Sequence, residues 1–179
     1  MFNKEMFISE KIADKNSEIM NAYFVLNKKL DNLMDYVDIN CVMPLFSQGL
    51  HKIAHRAPLD ADRFRDYNAL YSFRTKYNTI DGQYRDFVNP LEGVDDILDF
   101  LCDMDNMLAE AKLLAKAEEN YDYGRFLNKE IVYLRDYKKQ FVLLHDKFEQ
   151  YLKEGNTLQD YDFRADKYFD MPLEVGDDE

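Results

Sequence analysis

NPLEGVDDILDFLCDMDNMLAEAKLLAKAEENYDYGRFLNKEIVYLRDYKKQFVLLHDKFEQYLKEG, residues Asn89–Gly155, reads as two long helices folded back on each other. On the first, Val94, Leu98, Leu101, Leu108 and Ala115 form an apolar stripe, and Asp105 and Lys112 fall inside it. On the second, Leu127, Leu134, Phe141, Phe148 and Leu152 form the stripe, with Glu130, Lys138 and His145 within it. A reversal near Tyr121–Gly124 makes positions that sum to about 243 face each other. That register sets Lys112 beside Glu130 and Asp105 beside Lys138, and it brings His145, read as a core histidine, near Leu98. Buried opposite charges are tolerable only when paired. The pattern therefore predicts an antiparallel hairpin with Asp105, Lys112, Glu130 and Lys138 as structural pairs.

Upstream, Ile12, Ile19, Leu26 and Leu33 recur every seven residues and place a first helix at about Ile8–Val37. A second helix starts at about Cys41, with Pro44 in its first turn, where a missing N–H costs little. Pro58 is expected to end or kink it near Ala57, and Asp60–Tyr77 resumes a helical pattern. Asn78–Val88 follows as a link containing the turn signal Asp81-Gly82. Asn89-Pro90-Leu91-Glu92 is a helix start: Asn89 caps, Pro90 suits the first helical position, and Glu92 sits where a capping box needs a carboxylate. Gly124 marks the hairpin turn, and Lys153 followed by Gly155 closes the last helix. The 11 residues of Asn78–Val88 reach roughly 36 Å at ~3.3 Å each, the length of a bundle. The predicted fold is all-α: a four-helix bundle of two antiparallel hairpins joined by a long crossover, with a kinked second helix and a short C-terminal extension. Residues 1–155 form the bundle and 156–179 an acidic aromatic tail.

The chain carries a net charge of −12, half of it in Asn156–Glu179, which opposes binding to nucleic-acid phosphates. No run approaches the ~20 apolar residues that span a bilayer. The start has no apolar segment of the signal-peptide kind, so a cytoplasmic or otherwise intracellular protein is expected. Cys41 and Cys102 have no metal-binding spacing and read as reduced thiols.

The two hairpins, the crossover and the segment Ala117-Glu118-Glu119-Asn120-Tyr121-Asp122-Tyr123-Gly124-Arg125-Phe126-Leu127 together resemble the ferritin-like superfamily of four-helix bundles over about Ile8–Leu152. The segment looks like that family's turn between its third and fourth helices. The resemblance implies an oligomer, and for metal-binding members a Glu on each of two helices and Glu-x-x-His on each of the others, all facing inward. This sequence contains no Glu-x-x-His. Glu18, His51 and Asp103 stand near ligand heights, but each lies outside its apolar stripe.

His51-Lys52-Ile53-Ala54-His55 places two imidazoles one turn apart, with Lys52 where a zinc-protease motif needs Glu. No Gly-rich phosphate loop or nucleophile elbow is present. In the tail, Tyr161, Phe163, Tyr168, Phe169 and Leu173 punctuate an acidic background and are expected to dock in grooves, on the chain's own bundle or on a partner. The leading expectation is a non-catalytic structural or interaction protein without a cofactor, binding a protein partner or itself. The alternative is an oligomer that binds iron or manganese, with Glu18, His51, His55 and Asp103 as candidate ligands.

Overall fold

The computed structural model describes residues 7–82 and 84–173. Four long helices make the bundle: α1, Glu10–Ile39; α2, Pro44–Leu70; α3, Pro90–Ala117; and α4, Tyr121–Lys153. A one-turn helix α5, Leu158–Asp162, and a 3-10 turn, Ala165–Tyr168, follow α4. Ile19, Leu26 and Leu33 of α1 meet Phe46, Leu50 and Phe64 of α2, Leu101 and Leu108 of α3, and Leu134 and Phe141 of α4 in one core.

Each hairpin turns on a residue with a positive φ. Val42 (φ 54°) lies between α1 and α2, and Glu119 (φ 52°) lies between α3 and α4. The second reversal is therefore at Glu118–Asn120, and not at Tyr121–Gly124. Asn120 accepts the Tyr123 N–H and starts α4, so Gly124 sits in that helix's first turn. Asn89 caps α3 as the sequence predicts, accepting from Glu92 N at 3.1 Å. The Glu92 carboxylate reaches one residue further back than a capping box requires and accepts from Val88 N at 2.7 Å.

Of the two outcomes expected at Pro58, an end or a kink, the helix does not end there: α2 runs on through it. Pro58 has no N–H for the carbonyl of Ala54, and Asn27 of α1 supplies the missing donor, with Nδ2 2.9 Å from Ala54 O. Tertiary contact thus satisfies the group that the proline orphans, and the helix continues. It ends at Leu70, where Ser72 takes a φ of 63°, seven residues earlier than the aromatic pattern to Tyr77 suggests.

The crossover consequently covers 71–89 and lies along α1. Ser17 Oγ accepts from Lys76 N, and Asn21 donates to Lys76 O and accepts from Asn78 N. Asn32 holds both backbone groups of Arg85. This route runs in the direction of α1, so α3 starts at the far end and runs parallel to α2. Close packing of α3 on α1 needs Gly93: a Cβ there would stand 2.2 Å from Leu33 Cδ1.

Residues 156–173 fold back on the bundle and share its core. Asp162 accepts from Phe46 N at 2.7 Å and Leu45 N at 3.3 Å, capping α2, whose own N-cap residue Met43 provides no side-chain bond. Gln140 of α4 donates to Tyr168 O and accepts from the N–H groups of Asp170 and Met171. Phe169 lies on Gly49, where a Cβ would come within 2.3 Å of its ring. No helix among the described residues is long and apolar enough to cross a membrane.

Candidate functional site

At mid-bundle, α2 and α4 are bridged by long polar side chains. Arg56, Asp60 and Arg63 follow one another on the inner face of α2, in line with Ile53, Ala57 and Phe64. Glu130, Tyr133, Asp136 and Tyr137 come from α4, and Tyr23 from α1. Asp60, Arg56 and Glu130 are all at least 99 % buried, so each must be compensated.

Arg63 provides most of that compensation. Its Nε donates to Glu130 Oε1 at 2.8 Å and its Nη2 to Glu130 Oε2 at 2.9 Å, a two-point grip on the carboxylate. Its Nη1 donates to Asp60 Oδ1 at 2.6 Å. The other Asp60 oxygen accepts from the Tyr137 hydroxyl at 2.5 Å and lies 3.2 Å from Arg56 Nε, aligned as an ion pair and not as a hydrogen bond. Arg56 donates to Asp136 and, at 2.6 Å, to the carbonyl of Pro172, tying the C-terminal segment to the bundle centre. The guanidinium of Arg63 also stacks on Tyr133, 4.3 Å from the ring centre.

Burial sets the protonation states around this network. It pushes the Tyr23 and Tyr137 hydroxyls well above the ordinary phenol value, so both stay neutral and Tyr137 remains a donor to Asp60. Burial likewise pushes the Glu130 carboxyl up, against the downward pull of Arg63. The Arg63 guanidinium is held charged by Glu130 and Asp60 despite its own desolvation. Tyr23 OH is buried without a hydrogen-bond partner among the described residues, although it lies within the field of these charges.

Of the residues expected to ligate a metal, His51 and His55 approach each other, and Glu18 and Asp103 join neither them nor one another. Glu18 pairs with Lys15 on the surface of α1. His51 and His55 lie on the exposed side of α2, and Asp103 is exposed on α3. No group of three or more metal-ligating side chains occurs among the described residues. The predicted helix-hairpin pairs divide. Lys138 donates to Asp105, and both side chains are about one-third exposed, at the rim of the interface and not inside it. Lys112 does not face Glu130. It is exposed and donates to Asn128 at 2.9 Å, while Glu130, ~160° further round α4, turns toward α2. His145 is half-buried at the surface between Asp95 and Asp146, not in the core. Of the tail residues, Tyr161 is 1 % exposed among Phe46, Phe148 and Tyr151. Tyr168 stacks on Tyr161 and Phe169 packs tilted against Phe46, so these rings dock on their own bundle. Phe163, 79 % exposed, and Leu173 are left facing outward, and 174–179 lie outside the described residues.

The same architecture occurs in solved structures. An open-pore ferritin from the hyperthermophilic archaeon Archaeoglobus fulgidus superposes with a TM-score of 0.83 at 14% identity, over 92% of this chain and 98% of that one. The fold is ferritin-like. A closed form of the same ferritin, engineered by site-directed mutagenesis, gives 0.82 at 15% identity over 88% and 96%. No family model matches the sequence, and none of the curated proteins is similar to it.

A ferritin-like di-metal centre needs inward carboxylates with lone pairs free for metal and an excess of negative charge. Here all four oxygens of Asp60 and Glu130 already face guanidinium or hydroxyl groups, and two arginines are shared among these acids and Asp136. Asp60 and Arg63 keep the i, i+3 spacing of a Glu-x-x-His pair, with a cation in the place of the imidazole. These residues do not fit a metal pair. The sequence signal that marks the cluster is the spacing Arg56, Asp60, Arg63 along one apolar helix face.

Proposed function

We propose that the chain is a non-catalytic structural subunit of ferritin-like fold that associates with further copies or with a protein partner. The observation that carries this reading is the two-point contact of Arg63 with Glu130. It places a fixed cation against a carboxylate that an oxidation centre would need for metal. Exposed Tyr77, Tyr84 and Val88 on the crossover and exposed Leu59 on α2 supply apolar area for association.

The test adds Fe(II) to the purified chain in air and follows ferric absorbance, with light scattering on the same sample. The expected result is oxidation at the rate of buffer alone and a particle larger than one chain. Oxidation accelerated in proportion to protein overturns the reading. A second reading, an oligomer that oxidises or stores iron as its substrate, is favoured by the likeness to the archaeal ferritin along nearly its whole length. The comparisons support that reading more directly than the first, and the guanidinium contacts on Asp60 and Glu130 support the first.

A further inference from the structure

Two of the chain's three histidines stand apart from the bundle-centre network and approach each other. His51 and His55, one turn apart on the exposed side of α2, bring their Nε2 atoms to 2.9 Å, with the rings 85° apart. We propose that this pair is a surface chelate for a divalent metal of tetragonal preference, copper(II) foremost, held through both Nε2 atoms at adjacent corners of its coordination plane.

A separation of 2.9 Å is that of an N–H···N hydrogen bond, so it shows that both nitrogens reach one ion and does not choose the ion. Two imidazoles at adjacent corners with the remaining positions left to water suit a tetragonal ion, and copper(II) stands highest in the divalent affinity order. In the metal-free chain, a single N–H fills the gap between the rings. Binding needs both Nε2 lone pairs, so that ring changes tautomer, its proton passing through solvent to Nδ1, and the ion sits off the line between the two nitrogens. Ile53 and Ala57 are buried on the opposite side of the helix and Ala54 on its flank, so the backbone between the ligands is already fixed. The chain's net charge of −12 favours cation approach. No third protein ligand joins the pair among the described residues, so water or a small anion completes the coordination.

This site is separate from the bundle centre and does not depend on the function proposed above. The full chain is titrated with copper(II) in a non-coordinating buffer by equilibrium dialysis, with electron paramagnetic resonance at the end point. One equivalent is expected, with hyperfine structure from two nitrogens. His51→Ala and His55→Ala are each expected to weaken binding about tenfold or more, because the second ligand contributes through its effective concentration. His145→Ala, a histidine beside two aspartates elsewhere, is expected to leave the affinity within about twofold. All three positions are at least partly exposed, and circular dichroism verifies that the variants fold. Unchanged affinity in both pair variants, a copper spectrum without nitrogen coupling, or zinc bound as tightly as copper would overturn the proposal.

Discussion

Arg63 touches both buried acids of the bundle centre, and its removal leaves Glu130 and Asp60 short of compensation. Arg63→Met is expected to cost about 3–5 kcal/mol of stability, the range for breaking a buried pair from one side. Arg63→Lys should cost less, because it keeps the charge and loses the two-point geometry. Chemical denaturation of the two variants checks the order, and equal losses would contradict it. Glu130 carries a pH signature. Its folded carboxyl sits above the ordinary value, chiefly through burial, so the folded chain holds that proton more tightly than the unfolded chain. Above the ordinary glutamate value of about 4.3, this group therefore contributes a loss of stability as pH rises through its raised value. Glu130→Gln removes that contribution, and its stability should fall less with rising pH across this window than that of the wild type. Coincident slopes would exclude the effect. These residues were only partly legible in the sequence. Glu130 stood out as an acid in an apolar stripe, but a helical wheel cannot say which of two neighbouring helices an inner residue addresses. The arginines of α2 were masked by the aromatic pattern of Phe64, Tyr67 and Tyr71, which already explained a buried helix face.

Among the elements, those with local causes were readable, and those held by distant partners were not. The start of α3 follows from Asn89, Pro90 and Glu92 alone, and the sequence placed it correctly. The continuity of α2 depends on Asn27, 27 residues away from the Ala54 carbonyl it satisfies, which no local rule around Pro58 contains. The same holds for the cap on α2, which Asp162 brings from the far end of the chain. The arrangement at Pro58 predicts a coupling. Asn27→Ala should cost about 1 kcal/mol in the wild type by leaving Ala54 O without its donor. In a Pro58→Ala background the restored N–H of residue 58 serves that carbonyl, and the same change should cost measurably less. A double-mutant cycle measures the difference, and additive effects would show that Asn27 does not stand in for the missing backbone donor.

At the scale of the whole molecule, the sequence carried the topology well: two hairpins, a long link and helices 2 and 3 parallel. The link is longer than the turn signals imply because α2 stops at Leu70 and α1 offers Ser17, Asn21 and Asn32 to hold an extended strip of chain. The tail was legible as aromatic and acidic, but not as part of the core, since its docking requires the gap at Gly49 and the amide of Gln140. The proposed function rests on the bundle's centre, where arginine and tyrosine meet the two buried acids. Crystals exposed to Fe(II) without oxygen, measured by anomalous scattering at the iron edge, test this most directly. The account predicts no iron peak between Asp60 and Glu130, with Arg63 still on both carboxylates. A peak at that position with Arg63 displaced would contradict it.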